Sequence, residues 1–268
     1  MLSVIIPARN EAEGLPRTLG WLRAHLPEGQ GELIVAVGGS IDGTAEVAAG
    51  LARVVHGAEG SRATLLNAGA AAARGDVFFF VHADSFPPAT YAADIEMALA
   101  DPRVVGGAFA HRFLERAWGL RAVSWINRRR YWLTRNYYGD QGIFVRREVF
   151  ERIGGFPPRR LMEDLAFSQR LKRRGGTRVI PHPMRTSGRR FLERGVWRTF
   201  FFMWWLLIRD WLGLDTEHYA PGYHGPSGER TLQFPAPGLC LPPEGTARGS
   251  RVGRAGSSPT EGKQGARR

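Results

Sequence analysis

The sequence contains only one cysteine among its 268 residues. Cys240 therefore cannot form a disulfide within the chain, and because it stands in a proline- and glycine-rich stretch without a neighbouring histidine, it indicates no metal site. The apolar run at residues 200–208 has nine residues, too few for a membrane span of about 20. No basic segment precedes an apolar stretch of signal-peptide size, and we expect a protein of the reducing cytosol.

Acidic residues are also scarce, with 25 Asp and Glu against 37 Lys and Arg, a formal net charge of +12. This charge indicates an anionic partner, but nucleic acid, phosphorylated substrates and anionic lipid all qualify. The glycine-rich turn at residues 37–44 lacks the dinucleotide fingerprint G-x-G-x-x-G, although it suits close approach of a ligand to the backbone. An apolar content of 43% in 268 residues predicts one sizeable domain rather than two.

Strand-like and helix-like segments alternate through the first 110 residues. This alternation favours βαβ units, an α/β fold and a mainly parallel sheet flanked by helices. Ligands of such sheets bind beyond the carboxyl ends of the strands, so the polar residues that follow each strand are the candidates for chemistry. The predicted strands are residues 2–6, 33–37, 53–56 and 77–82.

The second half predicts a strand over residues 104–109, a helix rich in arginine and aromatic residues, a strand at 142–145, a helix near 163–173 and an aromatic helix containing 200–208. We therefore predict one domain over residues 1–220, with a nucleotide-binding half at 1–110 and an acceptor half at 111–220. Residues 221–268 are poor in bulky apolar side chains and rich in proline, glycine, serine and arginine, which predicts a disordered basic tail.

A buried strand delivers one carboxylate to the predicted ligand edge of the sheet, in the sequence FVHAD ending at Asp84. Mg²⁺ and Mn²⁺ accept such a carboxylate and complete their shell with water and phosphate oxygens. Asp84 could instead cap the next helix, which Pro87 and Pro88 are expected to open. His82, two residues earlier, is more typical of packing than of metal binding.

Two adjacent carboxylates, Glu163 and Asp164, stand at the start of a predicted helix. One of them could take a proton from an attacking hydroxyl, although acidic residues are favoured in the first turn of any helix. Asp140 and Gln141 form a further polar cluster that by itself is typical of a turn. Phosphate contacts are expected from the predicted helix containing Arg62 and Asn67 and from Arg189 and Arg190, although a single arginine in so basic a chain is more typical of the surface.

In this order, these segments resemble the family 2 glycosyltransferases. They are SVIIPARNE at residues 3–11, VGGSIDGT at 37–44, RGDVFFFVHAD at 74–84 and LMEDLAFSQRL at 161–171. The resemblance covers residues 2–219 and extends to a bacterial subfamily often found beside radical-SAM and selenium-related genes, which has similar GDQGIFVRR, GGFP, LMED and TS-x-RR stretches. It implies a Rossmann-like GT-A fold, a nucleotide-diphosphate sugar donor, first of all a UDP-sugar, Mg²⁺ or Mn²⁺, and inversion at the anomeric carbon.

The resemblance also implies roles for the site residues. Asp84 inherits the metal role, with His82 where a first carboxylate often stands; Asp164 is the base, supported by Glu163; and Asp140 and Gln141 line the sugar or acceptor side. Family members commonly carry Asp at the position of Val37 and Thr at that of Ile41, so the identity of the nucleotide stays open. The residues expected around a uridine-like group are Pro7, Asn10, Glu11, Ser40 and Asp42.

Arginine and aromatic residues alternate over residues 112–135, and a second aromatic segment spans 200–211. This pattern suits attachment to the inner face of an anionic membrane and a lipid-linked acceptor, but it fits aromatic core packing beside solvated arginines equally well. Rival hypotheses are a catalytically silent nucleotide-sugar binder, a basic nucleic-acid-binding protein and a nucleotidyltransferase. Of these, nucleic-acid binding leaves Asp84 and the pair Glu163 and Asp164 without a role.

Overall fold

The computed structural model describes residues 1–57, 60–216 and 219 of the chain. Within that part, eight strands form one sheet in the order β3-β2-β1-β4-β7-β6-β8-β5. The strands are β1 Leu2–Ala8, β2 Gly31–Val37, β3 Arg53–His56, β4 Val77–Phe80, β5 Ser85–Phe86, β6 Val104–Phe113, β7 Ile143–Arg146 and β8 Gly176–Thr186. The helices are α1 Leu15–Ala24, α2 Thr44–Ala49, α3 Arg62–Ala72, α4 Tyr91–Leu99, α5 Trp118–Thr134, α6 Arg147–Arg152, α7 Glu163–Lys172, α8 Arg189–Arg194 and α9 Val196–Trp211.

The first strand shows why an unbroken apolar run forms the centre of this sheet. All seven residues of β1 are buried, and successive side chains of a strand point to opposite faces. Val4 and Ile6 join a core cluster with Leu15 and Leu19 of α1, whereas Ile5 joins a different cluster on the other face. Helices therefore cover both faces, as the near-continuous apolar sequence of these strands predicts.

The expected α/β sheet flanked by helices is confirmed, with the GT-A Rossmann-like arrangement. Parallel pairings join β3 to β2, β2 to β1, β1 to β4 and β6 to β8. Strand β7 lies between β4 and β6 and runs antiparallel to both, and β5 runs antiparallel to β8. The sheet is therefore mixed on the side of β4 that holds β7, β6, β8 and β5. Of these strands, the sequence predicted neither β8 nor β5.

The ligand edge of the sheet follows from these directions. Strands β1, β2, β4 and β8 point the same way, so the segments after Ala8, Val37, Phe80 and Thr186 leave the sheet at a common edge. The short strand β5 pairs Ser85 with Thr186 and so holds the segment after β4 against the end of β8. Of the predicted site residues, these connections carry Asn10, Glu11, Ser40, Asp42, His82 and Asp84.

The predicted aromatic helix is present, because residues 200–208 lie within α9. None of the helices in the described part of the chain is long and apolar enough to cross a membrane. Helix α4 begins at Tyr91 rather than at the two prolines, and the amide of Tyr91 donates to the carbonyl of Pro88. The prediction of a disordered tail at residues 221–268 lies outside the described residues.

Candidate active site

The loops after β1 and β2 are tied to each other by side-chain hydrogen bonds. The amide of Asn10 donates to the hydroxyl of Ser40 at 3.1 Å, and the carboxamide oxygen of Asn10 accepts from the amide of Ile41 at 3.0 Å. Asn10 has a φ of 54°, a left-handed conformation that asparagine adopts more readily than most residues. These contacts shape the turn in which a nucleoside is expected.

Asp42 completes this pair of loops through both of its carboxylate oxygens. One accepts from the amide of Ala12 at 3.0 Å, and the other accepts from the amide of Thr44 at 3.1 Å and from the Thr44 hydroxyl. Burial acts to raise the pKa of Asp42, but these hydrogen bonds outweigh it and hold that pKa below its ordinary value. Asp42 therefore stays ionised, and its oxygens already have partners within the loops.

Two other residues predicted to surround the nucleoside take part through the backbone. Pro7 is buried within β1 opposite Ala36, so its position shapes the sheet edge. The amide of Glu11 donates to the hydroxyl of Thr44 at 2.9 Å. The loops therefore bring Asn10, Glu11, Ser40 and Asp42 together, with Pro7 in the strand beneath them.

The paired carboxylates Glu163 and Asp164 meet a single arginine at the start of α7. The guanidinium of Arg62, the first residue of α3, donates to Glu163 Oε1, and its Nη2 lies 3.7 Å from Asp164 Oδ2. Its Nη1 also lies 3.1 Å from Nε2 of His82. Residues distant in sequence thus converge, because α3, α7 and the end of β4 meet at the same edge.

Asp164 is held in a fixed position and in an environment that resists its ionisation. Its Oδ2 accepts from the amide of Gly139 at 2.7 Å, and its Oδ1 accepts from the amide of Leu165 at the same distance. Burial and the neighbouring charge of Glu163 raise the pKa of Asp164 to about 6, although Arg62 opposes that shift. A carboxylate poised near neutral pH at a ligand edge has the properties of a general base.

Asp84 presents an exposed carboxylate one residue before β5, where its Oδ1 accepts a hydrogen bond from the Ser85 hydroxyl at 3.4 Å. The described residues contain no cluster of three or more histidine, cysteine or acidic side chains suited to a metal ion. Asp84 nevertheless fits Mg²⁺ or Mn²⁺, which often use one or two carboxylates and take further oxygens from water and substrate phosphates. His82 fits less well, since its Nε2 faces the cationic guanidinium of Arg62.

Gln141 and Asn67, which the sequence predicts to contact ligands, each bind backbone groups of the fold. Gln141 is fully buried; its amide donates to the Phe109 carbonyl at 3.0 Å, and its oxygen accepts from the amide of Tyr138 at 3.0 Å. Asn67 binds both the amide and the carbonyl of Phe156 at 2.9 Å. Each carboxamide therefore hydrogen-bonds backbone groups that have no partner in a helix or strand. The sequence pattern does not show which backbone groups these are.

Asp140 lies beside a buried histidine that the sequence did not single out. The Nε2 atom of His111 is 2.7 Å from the Thr186 hydroxyl and 3.6 Å from Oδ2 of Asp140. Burial lowers the pKa of His111, although Asp140 opposes this, so the ring is neutral at physiological pH. Since Thr186 pairs with Ser85, this contact joins Asp140 to the segment that carries Asp84. A lone histidine in an apolar strand gives no sequence signal for this role.

The arginine pair at the start of α8 lies just beyond this junction. The Nε atom of Arg189 is 3.2 Å from Glu193 on the next turn, and its amide donates to the Ser187 hydroxyl. Arg190 is half-buried on the same short helix. The contacts described for Arg189 do not join it to Glu163 or Asp164, so the structure brings together Arg62, His82 and the two carboxylates more closely than the arginine pair.

Comparison with known proteins gives the family. The model of the family described as Glycosyl transferase family 2 matches residues 3–162. The chain belongs to this family. The match ends one residue before Glu163, so the roles of Glu163 and Asp164 rest on their geometry and not on the matched segment. A search of curated proteins gives no match.

Solved structures support the same fold. A mannosyltransferase from Pyrobaculum calidifontis in complex with GDP-Man and Mn²⁺ is 22% identical with a TM-score of 0.58, over 69% of this chain and 56% of that one. Residues 1–349 of TarS from S. aureus are 15% identical with a TM-score of 0.55, over 69% of this chain and 60% of that one.

Glucosyl-3-phosphoglycerate synthase from Mycobacterium tuberculosis, in complex with Mn²⁺, UDP and glucosyl-3-phosphoglycerate, is 20% identical with a TM-score of 0.52, over 68% of this chain and 70% of that one. The chain thus spans less than two thirds of the length of the first two structures. These likenesses establish the fold.

Proposed function

We propose that this chain transfers a sugar from a nucleotide-diphosphate sugar to an acceptor hydroxyl. The observation that carries the proposal is Asp164, a buried carboxylate fixed by two backbone amides, with its pKa raised to about 6, at the ligand edge of the sheet. A general base must be positioned and must be mostly ionised at the working pH, and Asp164 meets both requirements at neutral pH.

The donor is proposed to lie across the loops after β1 and β2, with its diphosphate toward Arg62 and Asp84. Similar structures that contain GDP-Man or UDP support a nucleotide-sugar donor, and their Mn²⁺ supports a divalent cation at Asp84. We propose a UDP-linked hexose first, as the family resemblance implies. A GDP-linked hexose comes second, because Val37 lacks the carboxylate that the resemblance would place against the base and so leaves the nucleotide open. We also propose that the chain belongs to the subfamily found beside radical-SAM genes, which it resembles.

The proposed reaction is a direct displacement that inverts the anomeric centre. Asp164 accepts the proton of the acceptor hydroxyl while the acceptor oxygen forms a bond to the anomeric carbon. The bond from that carbon to the diphosphate oxygen breaks, and the nucleoside diphosphate leaves with the electron pair. Mg²⁺ or Mn²⁺ held at Asp84 would offset the charge that builds up on the diphosphate. Glu163, ion-paired with Arg62, positions the guanidinium.

The acceptor is proposed to approach from the side of Asp140, which lies one residue after the amide that binds Asp164. Arg189 and Arg190 would contact a phosphate on that acceptor, because guanidinium groups bind phosphate oxygens in a bidentate manner. A lipid-linked acceptor at the cytoplasmic membrane surface fits the basic and aromatic character of residues 112–135 and 200–211.

Two measurements test the proposal. Calorimetric titration with UDP-glucose and GDP-mannose, with and without Mn²⁺, measures donor binding, and an assay of product formation measures turnover. We expect Asp84→Ala to lose the Mn²⁺-dependent part of donor binding, whereas Asp164→Asn should bind donor normally and lose turnover by about 100-fold or more. Glu96→Gln on the exposed surface of α4 is the matched control and should change neither property. Normal turnover of Asp164→Asn would reject the base assignment.

A second candidate is a nucleotide-sugar binder without transferase activity, which the replacement at Val37 favours. This candidate predicts donor binding in the wild type but no turnover with any acceptor, and Asp164→Asn would then resemble the wild type in every assay. Salt-sensitive binding of arbitrary single strands in the absence of donor binding would instead favour a nucleic-acid-binding protein.

A further inference from the structure

Helices α5 and α9 expose large aromatic side chains that the proposed reaction does not use. On α5, Trp118 is 72% exposed and Trp125 is 59% exposed; on α9, Phe201 is 64% exposed and Ile208 is 50% exposed. Water-exposed rings of this size are unfavourable unless another surface covers them, since apolar burial contributes about 25 cal/mol per Å². Contiguous exposed apolar patches mark interaction sites.

These side chains form one surface, which we call the aromatic ridge: Trp118 and Trp125 on α5, and Trp197, Phe201, Trp205 and Ile208 on α9. Their spacing of three, four or seven residues puts those on each helix along one face. The two stripes meet where the rings of Trp118 and Trp197 lie 5.8 Å apart, and Trp197 continues to Phe201 at 6.3 Å.

The exposed charged residues on α5 beside the aromatic ridge are all basic. Helix α5 contains no acidic residue, and its exposed arginines Arg121, Arg128 and Arg129 alternate with the tryptophans. The acidic residues next to it are engaged elsewhere: Asp210 pairs with Arg159 at 2.8 Å, and Glu115 accepts from Ser187 and the amide of Gly188. The ridge therefore presents rings framed by cations.

We infer that the aromatic ridge docks the protein on an anionic phospholipid membrane. Rings at the headgroup level, flanked by arginines that meet anionic lipid, are the two features of a helix lying in the membrane interface. A symmetric dimer through the same surface fits less well, because a two-fold interface would bring two arginine-rich helices together without acidic partners for them. The docking surface lies outside the proposed active site. Only the further step, that docking presents an acceptor to Asp164, rests on the proposed function.

That consequence follows from the other face of α9. Leu206 is fully buried there and packs in one cluster with Tyr138, Met162 and Leu165. Tyr138 precedes Gly139, whose amide binds Asp164, and Met162 and Leu165 flank the two carboxylates. Docking through the ridge would thus hold the membrane one helix away from the proposed base, close enough to present a lipid-carried hydroxyl.

The test is flotation of the full chain with vesicles of phosphatidylcholine alone or mixed with phosphatidylglycerol. We expect binding to the anionic vesicles, weakened by salt, and little binding to phosphatidylcholine. The double variant Phe201→Ser with Ile208→Ser should weaken binding at least about tenfold, since each side chain loses burial in the interface. Arg128→Gln with Arg129→Gln should weaken binding to the anionic vesicles and remove most of its dependence on salt.

A matched control keeps the result specific to the ridge. Met97→Ser on α4 removes a side chain that is 72% exposed, and this variant should bind vesicles as the wild type does. All variants should keep the melting temperature and the Mn²⁺-dependent donor binding of the wild type, so a failure of docking is separable from a failure of the transferase proposal. Binding unchanged in the ridge variants would overturn the inference.

Two other results would also overturn it. Equal binding to neutral and anionic vesicles would remove the role of the arginines. A dimer detected by light scattering that the ridge variants dissociate, without vesicle binding by the wild type, would assign the surface to a second copy of the chain.

Discussion

Arg62 sets the charge balance of the candidate site. Two adjacent buried carboxylates would repel each other, and the guanidinium of Arg62 is the cation described beside both. Its charge lowers the pKa of Asp164, although burial and Glu163 still raise that pKa to about 6 overall. The ionisation of the proposed base therefore depends on Arg62 even though no proton passes through the guanidinium.

Replacing Arg62 should move the acidic limb of the pH dependence of kcat. A base acts in its deprotonated form, so activity is lost as pH falls through the pKa of Asp164. Without the cation the carboxylate is harder to ionise, so we expect Arg62→Gln to shift this limb upward by about one pH unit. The measurement is kcat at saturating donor from about pH 5 to pH 9.

The conservative replacement Arg62→Lys is the control for that shift. It keeps a positive charge but loses the planar fork, so its acidic limb should stay near that of the wild type even where donor affinity falls. An acidic limb that does not move in Arg62→Gln would show that Asp164 is not the group whose ionisation controls turnover.

At this scale the sequence indicates which charged residues could carry chemistry, but it does not show which of them meet. Arg62 opens α3, Glu163 and Asp164 open α7, and the folded chain brings the three together. The burial of Gln141 against the Phe109 carbonyl and the contact of Asn67 with Phe156 depend on backbone groups left unpaired by the tertiary structure. A single sequence does not show which loop will need such a partner.

At the scale of elements, strand β6 approaches β8 so closely that one position tolerates no side chain. A Cβ atom added at Gly107 would lie 1.9 Å from the carbonyl oxygen of Arg178 and 2.8 Å from the ring of Phe144. The first of these neighbours is backbone and cannot move without opening the strand pairing. Gly107 is therefore required by the junction of the two halves of the sheet.

We expect Gly107→Ala to lower the free energy of unfolding by about 3 kcal/mol or more, because it overpacks a paired strand. Gly20→Ala is the matched control: Gly20 lies inside α1, and an added Cβ meets nothing within 4 Å. That change should raise the free energy of unfolding by about 0.5–1 kcal/mol, since alanine favours helix. Urea denaturation measures both, and equal stability of the two variants would contradict the close approach.

Strands β1 to β4 could be predicted, whereas β8 could not. Runs such as Val77–Phe80 are apolar throughout and bounded by turn residues, so their pattern is unambiguous. Strand β8 contains Pro181 and Pro183, and proline disfavours a paired strand. Its register against β6 shifts at this point, with Phe109 opposite Ile180 and Ala110 opposite Pro183. The irregularity accommodates both prolines, but only the folded sheet reveals it.

For the whole molecule, charge divides unequally between two parts of the sequence. Residues 221–268 contain seven basic and three acidic residues, a net +4, so residues 1–220 keep +8 of the total +12. The arginines beside the aromatic ridge and those near the candidate site all lie within residues 1–220, which carry the larger part of this charge. The proposed interactions with anionic donor, acceptor or lipid therefore need no contribution from the last 48 residues (268 − 220).

A chain that ends at Gly225 should keep the melting temperature and the turnover of the full chain. The composition of the removed residues offers little apolar surface to offset the entropy of ordering them. A chain that ends at Gly213 is the informative control, because it also removes Tyr219, whose ring lies 5.0 Å from that of Trp205 on α9. We expect this shorter chain to melt at a lower temperature, by about 2–4 °C for each kcal/mol lost. If the longer truncation product were destabilised to the same extent, residues 226–268 would contribute to the fold and the prediction from composition would be wrong.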